Sequence, residues 1–118
     1  QPVTIRVDML FNRGQATPQD ALQTFSWAIR ERNHDMLAHD VTPKSWSQFR
    51  DYADPQNWRR QQFDNVGSID IVAQREVNAT TVQVGIQLNQ AANPQYGEKI
   101  IVTLVLQDGE WRVDSTSR

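Results

Sequence analysis

The 118-residue chain contains no cysteine. Disulfide frameworks, cysteine-based zinc sites and thiol nucleophiles are therefore excluded. The absence suits an oxidising compartment without requiring one. Lysine is scarce as well: Lys44 and Lys99 stand alone, and arginine supplies the rest of the positive charge. That bias reads as codon usage rather than as an anion site. The formal net charge of -2 provides no global attraction to nucleic acid or to an anionic membrane. No apolar run reaches the roughly 18 residues a membrane-spanning helix needs. With five glycines in all, no glycine-rich phosphate loop forms. Ser45, Ser47 and Ser68 lack the Gly-x-Ser-x-Gly surroundings of an activated serine.

What remains is one domain by length, spanning residues 1–118 with residues 1–16 as an N-terminal arm. Val3, Ile5 and Val7 alternate within that arm, as a short strand or a segment lying on the domain would. The chain begins at Gln1 without a methionine, so we expect a piece of a longer protein, exported to the periplasm or beyond.

A helix is expected from Thr17, which serves as N-cap ahead of Pro18 at the first helical position and Asp20 in the first turn. Ala21, Leu22, Phe25, Ala28 and Ile29 then fall on one side of a 3.6-residue period. Trp27 falls nearly opposite, so either the arm or a following helix covers it, or it stays exposed for a partner. Asn33 is expected to end this helix. His34–His39 reads as a second helix carrying Met36 and Leu37, and Thr42-Pro43 as the start of a third with Trp46, Phe49 and Tyr52. Asp54-Pro55 repeats the signal before Trp58 and Phe63.

The period then changes. Val82, Val84, Ile86 and Leu88 alternate with polar residues and Gly85, the pattern of a strand with one buried face. Val66–Val77 precedes it as a strand, joined through a turn at Asn78-Ala79. Lys99–Gln107 is apolar on both faces, as in a central strand or one whose second face meets a helix or partner. Asp108-Gly109 is a two-residue hairpin turn into Glu110–Asp114. Trp111 should pack on the sheet against the long helix. Helices first and antiparallel strands after give an α+β fold: N-terminal helices packed on a curved antiparallel sheet. A concave space between the two is expected.

These features resemble the NTF2-like (cystatin-like) superfamily. The resemblance rests on Thr17-Pro18-x-Asp20-Ala21, Phe25-Ser26-Trp27-Ala28, the Arg32-Asn33-His34-Asp35 turn, the Val82–Leu88 strand and the closing Gln107–Asp114 segment. It is closest to short secreted bacterial domains without established activity. It implies a homodimer through the sheet face and no transferable catalytic residues, because the superfold hosts many unrelated roles.

The residues themselves offer few chemical constellations. His34-Asp35 and His39-Asp40 lie five apart, about 140° round a helix, which is not the spacing of a zinc-binding pair. An enzyme would take its acid and base from His34, Asp35 or His39, with Tyr52 beside them; the alternative is that the histidines are solvated. Trp46, Phe49, Tyr52, Trp58 and Phe63 form either core or the lining of a cleft for a small apolar ligand, with Tyr52 and Tyr96 as polar handles. Arg59-Arg60 beside Trp58 reads as a solvated helix face rather than a nucleic-acid patch. Asn78-Ala79-Thr80 matches a glycosylation sequon and is read as a turn. No metal and no cofactor are expected. The reading favours a non-enzymatic binding or assembly module. Its alternatives are a cleft enzyme moving protons in an isomerase- or dehydratase-like reaction, a carrier of a small apolar ligand, or a structural spacer.

Overall fold

The computed structural model describes residues 3–6, 10–50, 66–92 and 97–117. Tyr52, Trp58, Arg59, Arg60, Phe63 and Tyr96, together with the Asp54-Pro55 helix start, lie outside the described residues.

Among the described residues, five antiparallel strands form one sheet in chain order: β1 (Val3–Arg6), β2 (Val66–Asn78), β3 (Thr81–Gln90), β4 (Gly97–Gln107) and β5 (Glu110–Ser117). The first part of the arm is thus an edge strand, with Ile5 opposite Ile69. Three helices pack on the sheet: α1 (Pro18–Arg30), α2 (His34–Asp40) and the single-turn α3 (Trp46–Phe49), the last preceded by a 3-10 turn at Pro43–Ser45. The α+β architecture expected from the change of period is the one observed.

Alternation selects the covered face. Ile71, Ile86 and Ile100 line up across β2, β3 and β4, as do Val82, Leu104 and Val113 across β3, β4 and β5. These positions face α1, which contributes Leu22, Phe25 and Ile29 to the same core. Irregular register along β2 marks bulges near Gly67, Val72 and Val77. Such insertions bend a strand and strengthen its twist. β2 is buried at Val66, Ile69 and Ile71 but exposed from Val72 to Asn78, so its second half runs out past the helical layer. β4 is a central strand, as its doubly apolar pattern allowed.

α1 starts as expected, with the Thr17 hydroxyl accepting from the Asp20 N–H at 3.1 Å. It buries more than one stripe. The Thr24 hydroxyl accepts from the Arg13 N–H and donates to the Gly14 carbonyl, at 3.0 and 2.9 Å, so residues 13 and 14 pass over a second side of the helix. Trp27 is half-buried and packed on the core, as is Trp111.

Asn33 caps the next helix rather than ending the first. Its side-chain oxygen accepts from the Met36 N–H at 3.1 Å. α1 ends three residues earlier in a Schellman arrangement. The Asn33 N–H returns to the Ala28 carbonyl and the Arg32 N–H to the Ile29 carbonyl, which requires Arg32 at φ 58°. The chain spacing hid this stop because the left-handed position holds arginine where glycine is usual. Thr42 also differs from expectation: its hydroxyl makes no N-cap bond and points to Asp114 at 2.9 Å. The Asp108-Gly109 turn has positive φ at both residues, 54° and 78°, the mirror-image turn that matches strand twist.

Arg32→Gly should raise stability by about 0.5–1 kcal/mol, the left-handed penalty less the extra chain entropy of glycine. Thr17→Ala should lower it by about 1 kcal/mol through the lost cap. Urea unfolding midpoints of the two variants check both signs.

Candidate functional site

Between α1 and the sheet lies an apolar cavity of about 70 Å³. Leu22, Phe25, Ser26 and Ile29 line it from α1, Phe49 from α3, and Ile86, Leu88, Ile100, Val102 and Thr116 from the sheet. The expected concave space is therefore present and lined by the inward faces of β3 and β4. Its only lining residues with polar side chains are Ser26 and Thr116, and Ser26 already donates its hydroxyl to the Leu22 carbonyl at 3.0 Å. Phe25 and Phe49 meet edge to face across one wall, centroids 5.4 Å apart. Such a space holds apolar matter and offers no group that exchanges protons.

The proposed acid and base residues lie elsewhere. His34 and Asp35 are exposed at the start of α2, with His34 Nδ1 3.9 Å from Asp35 Oδ1. Trp46 turns toward them, its ring edge-on to His34 at 4.9 Å, rather than into the cavity. His39 is exposed and pairs across the fold with Glu110, Nε2 to Oε2 at 3.1 Å. Of the aromatic set, Phe49 alone among the described residues lines the cavity.

The charged group that stands out is one the sequence reading passed over as half of His39-Asp40. Asp40 is fully buried at the last residue of α2. Its Oδ1 accepts from Gln15 Nε2 at 2.9 Å, and its Oδ2 has no partner among the described residues. Burial pushes the carboxyl up to about 8; the Gln15 hydrogen bond and the Arg112 charge oppose the rise, and the Glu110 charge adds to it. Arg112 reaches Glu110 at 3.6 Å through Nη2, while its buried Nε is also unpartnered among the described residues. Glu110 is held below the usual range, chiefly by His39 and further by Arg112. One signal was available in the chain: an acid in the last turn of a helix opposes the dipole and needs a reason to be there.

Gln15, Asp40, His39, Glu110 and Arg112 thus gather where residues 10–16, α2 and β5 meet. Among the described residues no group of three or more metal-ligating side chains forms. No helix there is long and apolar enough to cross a membrane.

Comparison with known proteins adds to the fold alone. No protein-family profile matches the chain, and no curated protein does. Among solved structures, it is similar to a SEC-C motif containing protein from Rhodopseudomonas palustris, with a TM-score of 0.66 and 13% identity over 89% of this chain and 80% of that one. It is also similar to a protein of unknown function from Mycobacterium tuberculosis, with a TM-score of 0.52 and 17% identity over 85% of this chain and 69% of that one. The second of these likenesses is looser.

Two outcomes follow from this geometry. Phe25→Ala should cost about 3–5 kcal/mol in urea unfolding, since it removes an aromatic wall of a core cavity. For Asp40, both folded and unfolded chains are protonated below the ordinary carboxylate range. Between that range and about 8 only the folded chain keeps the proton. Stability should therefore fall as pH rises through this window, by at most about 1.4 kcal/mol per pH unit, and Asp40→Asn should remove that slope.

Proposed function

We propose that this chain is a non-enzymatic, exported NTF2-like module that associates with a second copy of itself through the outer face of its sheet. The observation that carries the reading is β4. Its inner residues Val102 and Leu104 are buried, yet Ile101 on the opposite face is apolar and 40% exposed.

Ile101 sits in a cross-strand row with Ala73, Gly85 and Ser117, and the next row is Arg75, Gln83, Thr103 and Ser115. Val72, 44% exposed, lies beside Gly85. The centre of this face, at Gly85, Ile101 and Thr103, is uncharged, and Arg75 stands at its β2 end. Charges of both signs, Asp70 and Lys99, occupy one flanking row with Gln87 between them. A neutral centre with a mixed rim is self-complementary, as a two-fold interface requires. The resemblance to NTF2-like domains and the absence of cysteine support the family and the export.

Two observations support a module over an enzyme. None of His34, Asp35 and His39 lines the apolar cavity, whose lining side chains include no titratable group. At about 70 Å³ it is also well below the roughly 300 Å³ at which small-molecule pockets begin.

Sedimentation velocity tests the association. Wild type should run as a dimer, and Ile101→Glu as a monomer with an unchanged far-ultraviolet spectrum. A wild-type monomer at the highest soluble concentration would sink the proposal.

A further inference from the structure

The backbone of β5 does not end in solvent on its outer edge. The Trp111 N–H donates to the Gln15 carbonyl at 2.9 Å, and the Val113 carbonyl accepts from the Thr42 N–H at 3.0 Å. Val41 and Val113 form a parallel bridge. The edge is covered by chain from two places, Gln15 and Val41-Thr42. Asp40 lies between them in the fold: its side chain holds Gln15, and its own backbone leads directly into Val41.

We propose that Asp40 is a proton-operated latch on this cover: the neutral acid holds Gln15 and the end of α2 over the β5 edge, and ionisation opens them. The geometry is that of a group made to be neutral. Asp40 is wholly buried at the negative end of a helix, with one hydrogen-bond donor and one bare oxygen. The charged and titratable groups around it do not neutralise an anion. From β5, the Arg112 charge favours the anion, yet Arg112 is shared with Glu110, which repels a second carboxylate, and burial outweighs both. From α2, His39 pairs with Glu110 rather than Asp40. After α2, Lys44 pairs with Asp114 at 3.4 Å. The segment that carries Gln15 contributes a neutral amide.

An ionised Asp40 gains more from water than from these neighbours, and water reaches it when the seven-residue α2 and Gln15 move off β5. Opening leaves the Trp111 N–H and the Val113 carbonyl unpaired, a strand edge able to accept another strand. The proton goes to solvent. Rising pH thus exposes a pairing edge distinct from the sheet face argued above.

Amide hydrogen exchange at Trp111 and Thr42 reads the latch directly, with Val84 in central β3 as the reporter of global unfolding. In wild type, Trp111 and Thr42 should exchange through an opening less costly than that of Val84. After correction for intrinsic rates, their opening should increase about tenfold per pH unit between the ordinary carboxylate range and about 8, as one released proton requires. Asp40→Asn should abolish this dependence while keeping the bond to Gln15. Carboxyl carbon titration of wild type supplies a reading that does not depend on the variant folding: Asp40 should titrate far above the ordinary carboxylate range. Protection at Trp111 and Thr42 equal to that at Val84 would overturn the proposal. So would a pH dependence that persists in Asp40→Asn, or an Asp40 midpoint in the ordinary carboxylate range.

Discussion

A sheet that ends in a long strand must do something with that strand's outer N–H and carbonyl groups, and here the solution at β5 organises the helical half of the molecule. Gln15, Thr42 and Ser45 each make a bond to the β5 backbone: the first through its carbonyl to Trp111, the second through its N–H to Val113, the third through its hydroxyl to the Asp114 carbonyl. Unpaired edges invite association, and unpaired buried groups cost free energy. Both problems are met by threading the chain over β5 before α1 and again after α2. The position of α2 follows from that threading, since both its ends are spoken for: Asn33 caps its start and Val41 is bridged to β5 at its finish.

The apolar core and the polar edge divide the labour. Leu22, Phe25 and Ile29 bind α1 to the sheet by burial, which is strong but tolerant of small displacements. The contacts at β5 are directional and set where the helical layer stops sliding. Thr42 illustrates this, its hydroxyl meeting the Asp114 carboxylate and the Ser45 hydroxyl rather than a backbone N–H of the turn it precedes. Asp40 is the cost of the same arrangement. The last residue of α2 has to pass inward for Val41 to pair, and the side chain at that point is an acid.

What was legible in the chain was local. Thr17 with Pro18 and Asp20 specifies a helix start within one turn, and Asp108-Gly109 specifies a hairpin by the φ it tolerates. The alternation of Val82, Val84 and Ile86 identifies its buried face without reference to any partner, and that face does line the cavity beside α1. Illegible features depend on distant residues. Thr42 finds Asp114 and His39 finds Glu110 across separations of 72 and 71 residues. Nothing near either residue announces the partner. Phe49 and Trp46, three residues apart, show how little side-chain type decides. The one joins the cavity wall and the other leans on His34.

The same division bears on function. A catalytic site needs titratable groups held together in a space that admits a substrate. Here the space and the groups are separated: the cavity is walled by carbon, and the cluster of Asp40, Glu110, Arg112 and His39 is built into the seam along β5. Groups placed in a seam respond to whether the seam is closed, not to what enters a cleft. The surfaces proposed to act instead are those of the sheet, its outer face around Ile101 and its guarded edge at β5. The face offers apolar area that is always present, whereas the edge offers backbone groups only when its cover lifts. As proposed, a strand edge held closed by neutral Asp40 and an open face centred on Gly85 would be two different means of association, one conditional and one constant.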